Sequence, residues 1–165
     1  MLWITGLPAA GKTTLAGNLH AVLARHGIRS LVVDADVLRR TLNADLGYTD
    51  ADRRENVRRI GELVRFLLGE GFTPVVACIS PFRDQRETLR RSFAPGQFLE
   101  IFADTPLEIC RQRDPKGLYQ RAQRGELKQL TGLDSAYEPP VNPDLVFTPD
   151  SFSAGEFARR FGLPD

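Results

Sequence analysis

Gly6, Leu7, Pro8, Ala9, Ala10, Gly11, Lys12 and Thr13 follow the pattern G-x-x-x-x-G-K-[ST]. Glycines at this spacing let the backbone curl until its N–H groups converge, a surface that suits phosphate oxygens before any side chain acts. Lys12 adds a point charge near a terminal phosphoryl group, and Thr13 offers a hydroxyl to Mg²⁺. The pattern carries weight only between a strand and a helix. Residues 1–5 are a short apolar run, and residues 12–26 place Leu15, Leu19, Val22 and Leu23 at helical spacing, so that context is met. The expected ligand is a nucleoside triphosphate with its metal ion.

A phosphate loop does not by itself separate kinases from GTPases, ATPases or nucleotide-sensing modules. No N-K-x-D segment occurs, and the single tempting D-x-x-G, Asp114 to Gly117, follows the fourth expected strand, which argues against a GTPase. Asp34 and Asp36 come directly after the second strand, and in a parallel sheet that end opens on the crevice holding the phosphate loop. One carboxylate can order the metal's water shell, a role given to Asp34. The other can take the proton of an attacking hydroxyl, a role given to Asp36. The plainer alternative is that both merely cap the next helix. Arg39, Arg53, Arg58 and Arg59 offer planar forks to an anionic acceptor, or else pair along a helix with Glu55 and Glu62. Ser80 and Pro81 read as an N-cap and first helical position, at a place where Ser80 could also touch the acceptor. Arg113 and Lys116 fall where a closing segment would carry charge onto phosphates.

These groups need a scaffold, and the pattern of the chain supplies one. Residues 30–34, 73–79, 98–103 and 145–147 are further strand-length apolar runs. Thr49 with Asp52 reads as a capping box opening a helix toward Gly69, and Ser153 with Glu156 signals a closing helix. Strands alternating with helices predict an α/β doubly wound sheet in a single domain over residues 1–165. Residues 114–142 are longer and more polar than a plain connection, and a mobile lid is expected there. With 22 basic and 21 acidic residues the net charge is +1, so no global field calls for nucleic acid or a membrane surface. Cys78 and Cys110 sit in apolar patterns and are expected as buried thiols; His20, His26 and Trp3 receive no chemical role, Trp3 being expected in the core. The apolar runs are strand-sized and no leader pattern opens the chain, which points to a cytoplasmic location.

With these residues in place, the chain resembles the adenylylsulfate kinases. The segments that carry the resemblance are WITGLPAAGKTTLA, DADVLRRTLNADLGYTDADRRENVRRIGE, ISPFRDQRETLR, EIFADTPLEICRQRDPKGLYQRAQRGELKQLTGLDS and YEPPVNPDLV. The resemblance implies a P-loop NTPase fold of the nucleotide-kinase type, with a five-stranded parallel sheet flanked by helices and a lid at about residues 114–133. It implies ATP and Mg²⁺ as partners at residues 6–14, Thr14 included, with Arg113 on the nucleotide. The activity implied is phosphorylation of the 3′-hydroxyl of adenosine 5′-phosphosulfate in sulfate assimilation. It further implies Asp36 at the acceptor hydroxyl, Arg39, Arg53 and Asn56 on the phosphosulfate side, and Ile79, Ser80 and Lys116 lining the same site. Tyr48 stands where the family has a phenylalanine stacking on the acceptor's adenine, and Ser80 matches a serine regarded as a possible phosphorylated intermediate. Two departures fall near the acceptor: DADV at residues 34–37 where the family reads DGDN, and Leu130 in place of the aromatic of FTG. Pro8 and Ala9 replace a common serine and glycine, and the first strand begins the chain without the short extension many relatives carry. A homodimer and a functional link to an ATP sulfurylase are left open. So are another nucleotide or small alcohol as acceptor and a non-catalytic nucleotide-binding role.

Overall fold

The computed structural model describes residues 1–148 and 153–163. Five strands form one fully parallel sheet: β1 (Leu2–Thr5), β2 (Ser30–Asp34), β3 (Thr73–Ala77), β4 (Leu99–Ala103) and β5 (Leu145–Phe147). Their order is β2-β3-β1-β4-β5, which puts the first strand made at the centre of the sheet. In β1, Leu2 and Ile4 face one helical layer while Met1 and Trp3 face the other, the period-2 alternation of a strand buried on both sides. The first layer includes α1 (Lys12–Arg25), whose Leu15, Leu19, Val22 and Leu23 pack on the sheet, with α5 (Leu107–Arg113), α6 (Leu118–Gln123) and α7 (Ala154–Arg160). The second is built on α3 (Asp50–Gly69), whose Val57, Ile60 and Val64 meet Trp3, Val33, Val76 and Phe98.

The expected boundaries recur closely. Thr49 Oγ1 accepts from the Asp52 N–H at 3.2 Å and Asp52 Oδ2 from the Thr49 N–H at 3.2 Å, a complete capping box at the start of α3. Ser153 caps α7 through the Glu156 N–H. Cys78 and Cys110 are buried free thiols, as their apolar surroundings in sequence imply. One local expectation fails. Ser80 and Pro81 do not open a helix: α4 is Arg83–Arg91, capped at Phe82, and Ser80 lies buried in a left-handed conformation at φ 39°. Pro81 does not hold a first turn because it and Phe82 still lie outside the helix, Phe82 in extended conformation at φ -96° and ψ 126°. Ser80 is fixed there by tertiary bonds described below.

Candidate active site

The loop between β1 and α1 is curled by backbone constraint. Gly6 has φ 153°, and a Cβ built on it would lie 2.7 Å from the Ala103 carbonyl oxygen, so only glycine lets β1 turn under β4 here. Gly11 caps α1 in a left-handed conformation, with no side-chain bond to the first-turn amides and no acidic residue in that turn. Those amides are left to an anion. Lys12 Nζ donates to the Gly6 and Leu7 carbonyls at 3.0 and 2.7 Å, folded along the loop. Crowding by loop and sheet ends strips its ammonium of water and pulls its pKa down to about 8.

Asp34, at the end of β2, does two things. Its Oδ1 accepts from the Asp36 N–H at 2.8 Å and so caps the single-turn helix α2 (Ala35–Leu38), while its Oδ2 accepts from Thr13 Oγ1 at 2.8 Å. The capping and the chemical readings of Asp34 are therefore both realised in one carboxylate. Asp36 is half-exposed and ion-pairs through Oδ2 with Lys116 Nζ from the segment after α5.

A cleft opens between α2, α3 and the end of β3. Asp36, Arg39, Tyr48, Arg53, Asn56, Ile79 and Ser80 line it, seven residues drawn from four stretches of sequence. The structure also separates the four arginines that spacing could not. Arg58 and Arg59 pair with Glu55, Arg59 also with Asp45, and they belong to the outer face of α3. Arg39 and Arg53 instead face the cleft with their guanidinium carbons 4.8 and 5.9 Å from the centre of the Tyr48 ring. Arg53 is only 6% exposed, fixed by the Tyr48 carbonyl at 3.0 Å and by the Gln129 carbonyl. Burial pulls its pKa below the ordinary arginine value, so an anion in the cleft would find a poorly hydrated cation. Asn56 Oδ1 accepts from the buried Asn43 at 3.0 Å, which leaves the Asn56 amide N–H groups for the cleft.

Four features were not legible from motifs. Trp3, expected only as core, donates its indole N–H to Ser80 Oγ at 3.0 Å, and Arg86 donates to the Ser80 carbonyl at 2.7 Å. Arg86 is itself buried against Glu100, with Nε to Oε1 at 2.6 Å. Asn43 orients Asn56, and Tyr137 stacks on Phe102 while its hydroxyl meets Thr5 Oγ1 at 3.0 Å. No motif marks these residues: the Trp3, Asn43 and Tyr137 bonds span 77, 13 and 132 positions, and Arg86, six residues after Ser80, owes its burial to Glu100 on β4. The two departures from the family pattern differ in their surroundings. Val37 is exposed on α2, and Leu130, expected at the acceptor, is 7% exposed and packs with the core layer of α1, next to Gln129 whose carbonyl holds Arg53. The apolar surroundings of the leucine favour burial over a stacking position. Arg113 ends α5 on the exposed side of the segment leading to Lys116.

The loop lysine predicts its own pH dependence. Below pH 8 the free protein carries Lys12 protonated, and above it increasingly neutral. A bound polyphosphate stabilises the ammonium and raises that pKa, so nucleotide binding takes up a proton above pH 8. Affinity should then fall by up to about tenfold per pH unit as pH rises through 8. Calorimetric titrations at pH 8.5 in buffers of different ionisation enthalpy read the uptake directly; identical heats in both would refute it.

Comparison with known proteins agrees with this geometry. Residues 1–148 match the family model described as adenylylsulphate kinase. The adenylyl-sulfate kinase of Yersinia pestis is 50% identical over 145 residues, covering 88% of this chain and 68% of that protein. The probable adenylyl-sulfate kinase of Bacillus subtilis is 46% identical over 158 residues, covering 96% and 79%. The structure of the Mycobacterium tuberculosis APS kinase CysC in complex with AMPPNP and APS superposes with a TM-score of 0.88 at 43% identity, covering 97% of this chain and 93% of that one. The phosphate loop, the paired aspartates and the arginine-lined cleft thus stand on a fold and a sequence shared with these kinases, and the chain belongs to the adenylylsulphate kinase family.

Proposed function

We infer that the protein transfers the γ-phosphoryl group of ATP to the 3′-hydroxyl of adenosine 5′-phosphosulfate, giving 3′-phosphoadenosine 5′-phosphosulfate and ADP. The observation that carries this reading is the cleft itself. One anion site, at the phosphate loop, adjoins a second lined by two arginines and a tyrosine ring, and Asp36 stands between them. A nucleotide acceptor bearing a doubly anionic tail suits that lining: the tail against Arg39, Arg53 and the Asn56 amide, the base against the open face of Tyr48. Asp36 accepts the hydroxyl proton as the oxygen attacks in line. Lys116 shares the Asp36 carboxylate and must release it for that role, which gives the segment it comes from a gating part in the reaction. Ser80 shapes the cleft wall. Its hydroxyl is engaged by Trp3 and the residue is 1% exposed, which favours direct transfer over a phosphorylated serine.

The donors near the nucleotide fit Mg²⁺. Thr13 Oγ1 and Asp34 are hard oxygen donors 2.8 Å apart, and no group of three or more His, Cys, Asp or Glu that could hold a metal occurs among the described residues. Such a sparse set suits an ion that keeps several waters and takes the rest of its shell from phosphates. When bound, Mg²⁺ would neutralise charge on the transferring phosphoryl group, with Thr13 as its direct protein ligand and Asp34 ordering its water.

None of the helices of the described residues is long and apolar enough to cross a membrane. The proposed substrates suit a cytoplasmic enzyme working downstream of the ATP sulfurylase reaction, in which the adenylyl group of ATP passes to sulfate and pyrophosphate leaves. ADP release is measured with ATP and Mg²⁺ against adenosine 5′-phosphosulfate, AMP, adenosine and no acceptor. Turnover confined to the phosphosulfate is the expected result. Equal turnover with AMP would make the second arginine-lined anion position irrelevant and move the assignment to another nucleotide.

A further inference from the structure

A loop whose amide N–H groups face an anion must turn carbonyl oxygens the other way, and buried carbonyls need donors. Two of those donors come from outside the phosphate-loop motif. The Tyr119 hydroxyl donates to the Pro8 carbonyl at 3.0 Å, and Thr105 Oγ1 donates to the Ala10 carbonyl at 3.0 Å. Both residues are buried, Tyr119 to 1% exposure and Thr105 to 6%. Between the two anchored carbonyls sits Ala9 at φ 60°, a left-handed conformation that a residue with a Cβ adopts only under restraint.

We propose that Tyr119 and Thr105 are positioning residues for the nucleotide. They clamp the loop around a strained Ala9, holding its carbonyls outward so that its amides stay aimed at the phosphates. Tyr119 belongs to α6, the helix following Lys116, and Asp114 ties that helix down by accepting from the Tyr119 and Gln120 N–H groups at 3.2 and 3.0 Å. Burial pushes the Tyr119 phenol well above its ordinary pKa, so the group stays a donor across the working range. The segment that brings Lys116 to Asp36 thereby also fixes the shape of the ATP site, and neither role requires Tyr119 to touch a substrate.

The inference rests on the kinase reading, and binding of ATP alone separates the two. Wild type, Tyr119→Phe, Thr105→Val and the double variant Tyr119→Phe/Ala9→Gly are titrated calorimetrically with ATP and Mg²⁺ without acceptor, and KM for the acceptor is measured on each. Loss of one hydrogen bond predicts ATP binding weaker by about 2- to 12-fold in each single variant, with acceptor KM unchanged. Glycine at position 9 needs no restraint to hold the left-handed conformation, so the double variant should recover most of the Tyr119→Phe loss. ATP affinity unchanged in both single variants, equal rises in both substrates' constants, or no recovery with glycine would each overturn the proposal. Should Tyr119→Phe fail to fold, Thr105→Val alone decides, since it removes only a hydroxyl. Absence of ATP binding in the wild type would instead overturn the kinase reading.

Discussion

Lys12→Ala should give a folded protein whose phosphoryl transfer falls by at least about 10²- to 10³-fold, the usual loss when one preorganised charge is taken from a developing oxyanion. The ammonium lies along the loop carbonyls in the free protein, bonded to Gly6 and Leu7. Its burial there is unfavourable enough to lower its pKa to about 8, so its removal should not weaken the fold. The loss should therefore appear in kcat rather than in thermal stability. Single-turnover assays beside thermal unfolding check both halves, and near-normal turnover would sink the mechanism.

Asp36→Asn should lower kcat by about 10²- to 10⁴-fold, the range for a general base, while ATP affinity stays close to wild type. The substitution keeps the shape of the side chain and its place at the start of α2, since the cap on that helix is made by Asp34 and not by Asp36. It does break the ion pair with Lys116. A freed Lys116 could weaken the segment's closure, and Lys116→Met measures that share separately. If Asp36→Asn lowers kcat and ATP affinity by equal factors, Asp36 is holding the site together and is not its base.

The fold was readable because its signals are local and agree with one another. The strand runs, the Thr49 capping box and the helical stripe of α1 each carry their own instruction, and five parallel strands are the arrangement that satisfies them all. The phosphate loop was readable for the same reason: its signature lies in eight adjacent residues, although Thr105, Tyr119 and the Ala103 carbonyl, which also shape it, lie far along the chain. The cleft was legible only through likeness to a family. From spacing alone Arg58 stood level with Arg53, and what separates them is that one meets Glu55 on the outer face while the other is buried beneath Tyr48. Ser80 misled because serine followed by proline has the composition of a helix start, whereas here the serine is pinned between an indole from β1 and a guanidinium from α4. Pinning of that kind joins residues 80–86 to Trp3, 77 positions from Ser80, and no short window of sequence contains both.

The sheet order has a consequence for how the chain acquires its shape. β1 is central, yet its hydrogen-bonding partners are residues 75–77 on one side and 99–102 on the other. During synthesis from the N-terminus, the first apolar strand therefore waits for some hundred residues before its second edge can be covered. Until then the phosphate loop it leads into has no wall to fold against, because the carbonyl that demands glycine at position 6 belongs to Ala103. Non-local parallel pairing of this kind closes large loops before it is rewarded and is slow for its size. A ribosome-bound chain halted short of β4 would present Leu2, Trp3 and Ile4 to chaperones, and nucleotide could be captured only after the fourth strand had emerged.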